Sequence, residues 1–249
     1  MKSRLFAALV LICAVMVVPA LPGEEPQPSA DDVVATMLAW DGIREAASGG
    51  YTGHRHYLLE NQRFDKQAQM FVNVTCDQNG MKHFEVVSEN GWKSANKRVL
   101  RQMLVTESDS SRPETRPKSR ITSDNYTFRM IDKDALDGRA AYLIEVTPKR
   151  QDKNLFRGRI WVDVQDYALA RVEGEPAQNP SFWTKRVHFV QRYQKSGNFW
   201  YPALTTSMTD ARIFGATNVT IRYFDYLPFS DTPTLPPNPA LMDAKYAKR

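Results

Sequence analysis

With 249 residues and 42% apolar side chains, the chain can build one substantial hydrophobic core. It is not a small disulfide-stapled domain, because Cys13 and Cys76 are its only cysteines. Its formal charge of +5 falls to +3 once Lys2 and Arg4 of the leader are set aside, and charges of both signs are interspersed along the rest, which excludes a nucleic-acid footprint.

Residues 1–20 (MKSRLFAALVLICAVMVVPA) join a basic start, an apolar run from Leu5 to Val18 and small residues around Pro19. That is the pattern of an export signal peptide, so a periplasmic location is expected. Pro19, followed by Glu24 and Glu25, favours cleavage. The run approaches the roughly 17 residues of a minimal membrane span, so an uncleaved N-terminal anchor is the alternative. Cys13 follows Ile12 in mid-run and does not fit a lipoprotein signal. Cys76 then stands alone and is read as a small buried hydrophobe.

Residues 21–30 (LPGEEPQPSA) form a Pro-rich linker. Ser29 or Asp31 can cap a helix over 31–47, where Val33, Val34, Met37, Leu38 and Trp40 recur near helical spacing. From Tyr51 the period becomes two. Strands are expected at 51–60, 67–76 and 81–88, with the Asp77-Gln78-Asn79-Gly80 hairpin turn between the last two. In 67–76, Ala68, Met70, Val72, Val74 and Cys76 share one face, and Phe71 is the apolar exception on the other. A second helix is expected over 93–107, followed by a polar, Pro-containing, mobile lid-like loop at 108–120. The remaining strands are expected at 125–131, 141–147, 157–164, 167–173, 183–193, 199–209 and 211–226, and a Pro-rich tail fills 231–249. About ten or eleven strands joined by short turns predict a mainly β (α+β) domain over 31–230. Its form is an incomplete antiparallel barrel with the helices on the concave side.

The segments AYLIEVTPK (141–149), GRIWVDVQDYALARVEG (158–174) and FVQRYQKSGNFWYP (189–202) resemble the LolA/LolB-type periplasmic lipoprotein carriers, the outer membrane lipoprotein-sorting proteins. The resemblance covers most of the mature chain and consists of strand-and-turn signatures. It implies a half-barrel around an apolar cavity that holds the acyl chains of a lipoprotein, with no metal and no cofactor. The inward faces of the strands then nominate Met70, Val72, Val74, Phe84, Val86, Tyr142, Ile144, Val146, Ile160 and Val162 as cavity residues. In that family an arginine near the early strands latches the lid, and Arg55 and Arg63 are the two candidates here. The 108–120 insert and the Pro-rich tail depart from the pattern.

No catalytic constellation is present, so the chain is not read as an enzyme. His54 and His56 share a strand face but lack a third ligand at metal spacing, and His83 and His188 are isolated. Asp163 and Asp166 read as turn residues that bond their own backbone. The aromatic cluster Trp161, Phe182, Trp183, Phe189, Phe199, Trp200 and Tyr201 packs the core, or in part lines a cavity and its rim. The expected function is a monomeric periplasmic carrier of lipid or lipoprotein acyl chains toward the outer membrane. The alternative is an envelope sensing module that binds a membrane or signalling protein.

Overall fold

The computed structural model describes residues 27–179, 184–212 and 215–230. The expected signal peptide, most of the linker, the tail and the pair Phe182 and Trp183 lie outside them. Helix α1 (Ala30–Ser48) starts at Ser29, whose hydroxyl oxygen accepts a hydrogen bond from the Asp32 N–H at 3.1 Å. Asp31 and Asp32 place negative charge in its first turn, where the helix dipole favours it. The helix stops at Gly49, which takes the left-handed φ of 62° that closes helices.

Strands β1 (Tyr51–Asn61), β2 (Lys66–Cys76) and β3 (Lys82–Gly91) follow as hairpins. A helical passage comes next: one α-turn, α2 (Lys93–Ala95), a π-helical turn (Asn96–Leu100) and α3 (Arg101–Ser111). The Asn96 side chain pins the passage to β3 by donating to the Asn90 carbonyl at 2.9 Å. Where a free loop is expected at 108–120, α3 continues to Ser111 and a 3-10 turn follows at Arg116–Lys118. The Asn125 amide donates to the carbonyls of Pro117 and Arg120, both at 2.8 Å, and ties this segment down.

Strands β4 (Tyr126–Leu136), β5 (Arg139–Pro148), β6 (Phe156–Asp163), β7 (Leu169–Pro176), β8 (Thr184–Ser196), β9 (Phe199–Ala211) and β10 (Gly215–Pro228) complete ten strands. Asp137 and Gly138, with φ of 51° and 80°, make the tight β4–β5 turn. All ten form one antiparallel sheet in the order β3-β2-β1-β10-β9-β8-β7-β6-β5-β4. Every neighbouring pair is consecutive in sequence except β1 and β10, which register Tyr57 against Ile221. The sheet does not close: β3 and β4 are its two edges, and the helical passage bridges them. This is the expected half-barrel, with its opening set by the only long connection between successive strands.

Two apolar cores fill the concave side. On one flank Val33, Val34 and Met37 of α1 pack against Tyr142, Ile144, Val146, Ile160 and Val162. On the other, Ala95, Leu100 and Leu104 pack against Tyr57, Leu59, Met70, Val72, Val74, Val219 and Ile221. Burial of one such large apolar side chain contributes about 1.5–3 kcal/mol. No helix among the described residues is long and apolar enough to cross a membrane.

Candidate functional site

The helices cover only the flanks of the sheet. The middle strands β8 and β9 keep part of their concave face free, and a cleft of about 470 Å3 lies over them. That volume falls in the small-molecule range of roughly 300–1,000 Å3. Tyr193, Phe199, Tyr201 and Leu169 form the floor. Met37, Leu38, Asp41, Arg44 and Glu45 of α1 make one wall, and Lys82, Glu107, Ser110 and Ser111 make the other. Arg116, Arg120 and Ile121 close one side. The cleft is therefore amphipathic: an aromatic and aliphatic floor with ionic walls. Tyr201 is buried and stacks on Tyr226 at 4.3 Å between ring centroids, and neither hydroxyl has a hydrogen-bond partner.

Three cations on the walls are matched to carboxylates. Arg44 meets Asp41 at 3.3 Å and donates to the Asp166 backbone carbonyl. Arg116 pairs with Glu45 of α1. Lys82 meets Glu107 at 2.8 Å. Behind Lys82, Arg55 is only 2% exposed and reaches Glu107 through two nitrogens, at 2.7 and 3.0 Å. Its guanidinium lies between the rings of Phe84 and Tyr223, at 5.1 and 4.8 Å from their centroids. Burial would raise the Glu107 carboxyl, but the charges of Lys82 and Arg55 outweigh it and hold the group well below the usual carboxylate range. Burial likewise opposes the charged forms of Arg55 and Lys82, yet Glu107 holds both above their ordinary values. Of the two latch candidates, Arg55 ties β1 to α3, whereas the Arg63 guanidinium lies over Phe64, 5.9 Å from its ring centroid.

Asp41 behaves in the opposite way. Burial pushes its carboxyl up to about 6, against the pull of Arg44. A carboxyl with a raised folded-state pKa destabilises the fold as pH climbs through that value, and carries no such penalty below its unfolded value of 3.8. Asp41→Asn is therefore expected to raise Tm at pH 7 relative to the parent and to lose that advantage near pH 4. Thermal scans at the two pH values check this, and an unchanged difference would show that Asp41 does not titrate in this window.

Beside the cleft, the β6–β7 turn is a polar hub. Asp163, 1% exposed, accepts from Arg139 at 2.6 and 2.8 Å and from the N–H groups of Gln165 and Asp166 at 3.0 and 2.7 Å. The Asp166 carboxylate accepts from Arg139, Lys195 and Trp200 Nε1 at 3.0, 2.7 and 3.1 Å. Its pKa is lowered because Lys195, Trp200 and Arg139 together outweigh burial. Asp163 takes the turn role expected of the two aspartates, bonding its own backbone, whereas the Asp166 carboxylate bonds side chains instead. The arginine, lysine and tryptophan partners are additional, supplied by β5, β8 and β9.

The ten nominated cavity residues do not line the cleft. Met70, Val72 and Val74 are buried under the α2–α3 passage, with Phe84 and Val86 packed against them. Tyr142, Ile144, Val146, Ile160 and Val162 are buried under α1. Phe199, Trp200 and Tyr201 of the aromatic cluster do line the cleft. Phe189 packs against the α1 core, and Trp161 sits in a small third cluster with Ala141 and Ala170, donating to Asp134 at 2.8 Å. Cys76 is buried and lines the cleft, and burial raises its thiol pKa. His54 and His56 project from one face, 2.9 Å from Asn73 and 3.3 Å from Gln69. Phe71, on that same face, stacks on His56 at 4.3 Å. No group of three or more His, Cys, Asp or Glu that could hold a metal occurs among the described residues. Glu107 escaped sequence reasoning because it lies in a polar stretch of α3, far along the chain from both its partners.

Compared with known proteins, residues 110–227 match a family model described as a family of unknown function (DUF5686). No curated protein matches. Among solved structures, the chain is similar to one named for an outer membrane lipoprotein-sorting protein domain from Vibrio parahaemolyticus. The two are 12% identical, with 88% of this chain and 98% of that one covered and a TM-score of 0.42. It is similar to a DUF1329 family protein from Desulfovibrio piger at 10% identity, covering 83% of this chain and 95% of that one, with a TM-score of 0.43. A LolA superfamily protein from Nitrosomonas europaea is 10% identical over 83% of this chain and 96% of that one, with a TM-score of 0.35.

Proposed function

We propose that the chain is a periplasmic binding protein that holds lipid, or the acyl chains of a lipoprotein, and carries them toward the outer membrane. The observation behind this reading is the stretch of β8–β9 left bare between two helix-covered flanks, with Phe199 and Tyr201 on its floor. An aliphatic chain laid on that floor gains about 25 cal/mol per Å2 of apolar surface removed from water. The export-type leader at 1–20 agrees with an envelope location. In this reading the ten nominated core residues form a deeper reserve, reached by a larger ligand only when α1 or α3 lifts. The Arg55–Glu107 contact is the latch that such lifting has to open.

A second reading rests on the outer face. Phe71 and Phe224, each 38% exposed, flank His54 and His56, and Leu227 is 65% exposed nearby on β10. An apolar patch of this kind on a sheet marks a protein or membrane contact, as an envelope sensing module requires. Native mass spectrometry of the mature chain purified from a periplasm, followed by organic extraction, separates the two. The carrier reading expects a co-purifying lipid or acylated peptide near one-to-one, or saturable uptake of an added apolar probe. A bare mass with no saturable uptake overturns it and leaves the sensing module.

A further inference from the structure

We propose that the cleft selects anionic amphiphiles: it takes a single acyl chain whose carboxylate or phosphate head is received by Arg120. The proposal rests on the apolar-ligand reading above and adds the charge of the head group to it. Its basis is the charge pattern of the walls. The cleft carries four cations against three carboxylates among the described residues. Arg44, Arg116 and Lys82 are each matched to a carboxylate. Arg120 is the cation left over, with no ion pair to any described residue.

The geometry places this cation next to the apolar surface. Ile121, the next residue in the chain, packs on the α1 core and lines the cleft with Met37, Leu38 and Leu169. A head group at Arg120 thus has an aliphatic track beginning beside it. Arg120 also stands near Asp41, on which its charge acts. Partial burial matters here, because a charge-assisted hydrogen bond is worth more where solvent is thinned. A neutral head would offer the half-buried guanidinium no ion pair of its own.

Calorimetric titration of the full chain tests this with four probes: dodecanoate, dodecyl phosphate, neutral dodecylglycerol and inorganic phosphate, with the amphiphiles below their micelle concentrations. Both anionic amphiphiles are expected to bind about tenfold tighter than dodecylglycerol, the effect of one charge-assisted contact. Inorganic phosphate is expected to give no saturable heat. Arg120→Gln is expected to erase the preference while dodecylglycerol affinity stays constant, and Arg120→Lys to keep most of it. Equal affinity of the parent for anionic and neutral chains overturns the proposal but leaves the apolar-ligand reading standing. So does a preference that survives Arg120→Gln. Inorganic phosphate binding as tightly as dodecyl phosphate overturns it in favour of a bare anion site. Failure of all three amphiphiles to bind overturns the apolar-ligand reading itself.

Discussion

Glu107→Ala is expected to cost about 3 kcal/mol, a drop of roughly 6–12 °C in Tm for a domain of this size. The cost comes less from the lost carboxylate than from what stays behind. Arg55 is 2% exposed and enclosed by Phe84 and Tyr223, so it keeps its charge with only the Tyr57 hydroxyl, at 3.0 Å, as a remaining partner. The lower end of the usual range for a broken buried pair applies, because a third of the Glu107 side chain is accessible. Glu107→Gln, which keeps an acceptor without its charge, is expected to cost about half as much. The pH dependence has a definite sign. A carboxyl held below its ordinary value of 4.5 contributes stability above that pH and loses it as the medium becomes more acid. Parent and alanine variant should therefore converge on acidification. Denaturant titration at pH 7 and pH 3.5 measures this. A difference below about 0.5 kcal/mol at pH 7 would remove the triad as the anchor of α3.

Asp163→Ala should be comparably severe, at about 3 kcal/mol, and its effects should reach the cleft. Four hydrogen bonds end on this buried carboxylate, two from Arg139 and two from backbone N–H groups. The backbone pair shapes the turn that carries Asp166. Through its carbonyl and carboxylate, Asp166 receives Arg44 from α1, Lys195 from β8 and Trp200 from β9. Loss of Asp163 therefore loosens one wall and one end of the floor together. Asp163→Asn keeps an acceptor for the turn and sacrifices the guanidinium pair, so its cost is expected to be smaller. Chemical unfolding gives the magnitude, and tryptophan fluorescence from Trp200 reports the cleft. A variant with parental stability would mean that Arg139, 35% exposed, and the turn find equivalent partners in water.

The secondary structure was legible in the sequence because its signals are local. The alternation of β2, the Asn-Gly and Asp-Gly turns and the cap at Ser29 each act within a few residues. The period of two also separated inward from outward residues correctly, with Phe71 outside and Val72 inside. It could not say which inward residues face a helix and which face open space. That depends on the strand order, and the decisive pairing, β1 with β10, joins opposite ends of the chain. The nominated residues on β2 and β5 therefore lie under helices, while Tyr193 and Phe199, on strands with no helix of their own, form the floor. Arg55 could be nominated from its place in an early strand. That it meets Glu107 of α3, 52 residues further along the chain, was not legible in the sequence.

The seam between β1 and β10 also sets the order in which the chain can assemble. The other eight strand pairings are hairpin contacts between successive strands, which close quickly because little loop entropy is lost. β1–β3 with α3, and β4–β9, can each gather apolar surface in this way, whereas α1, which precedes β1, reaches its core on β4–β6 by a non-local contact. The seam must wait until β10, the last of the ten strands, has been made, so it is the slow, non-local step. Until then the two cores are tethered by the 92–125 connection and by α1, which runs straight into β1 through Gly49 and Gly50, and β1 and β9 both present unpaired edges. Closing this seam in one late step joins the two halves of the sheet and brings β9 and β1 to either side of β10.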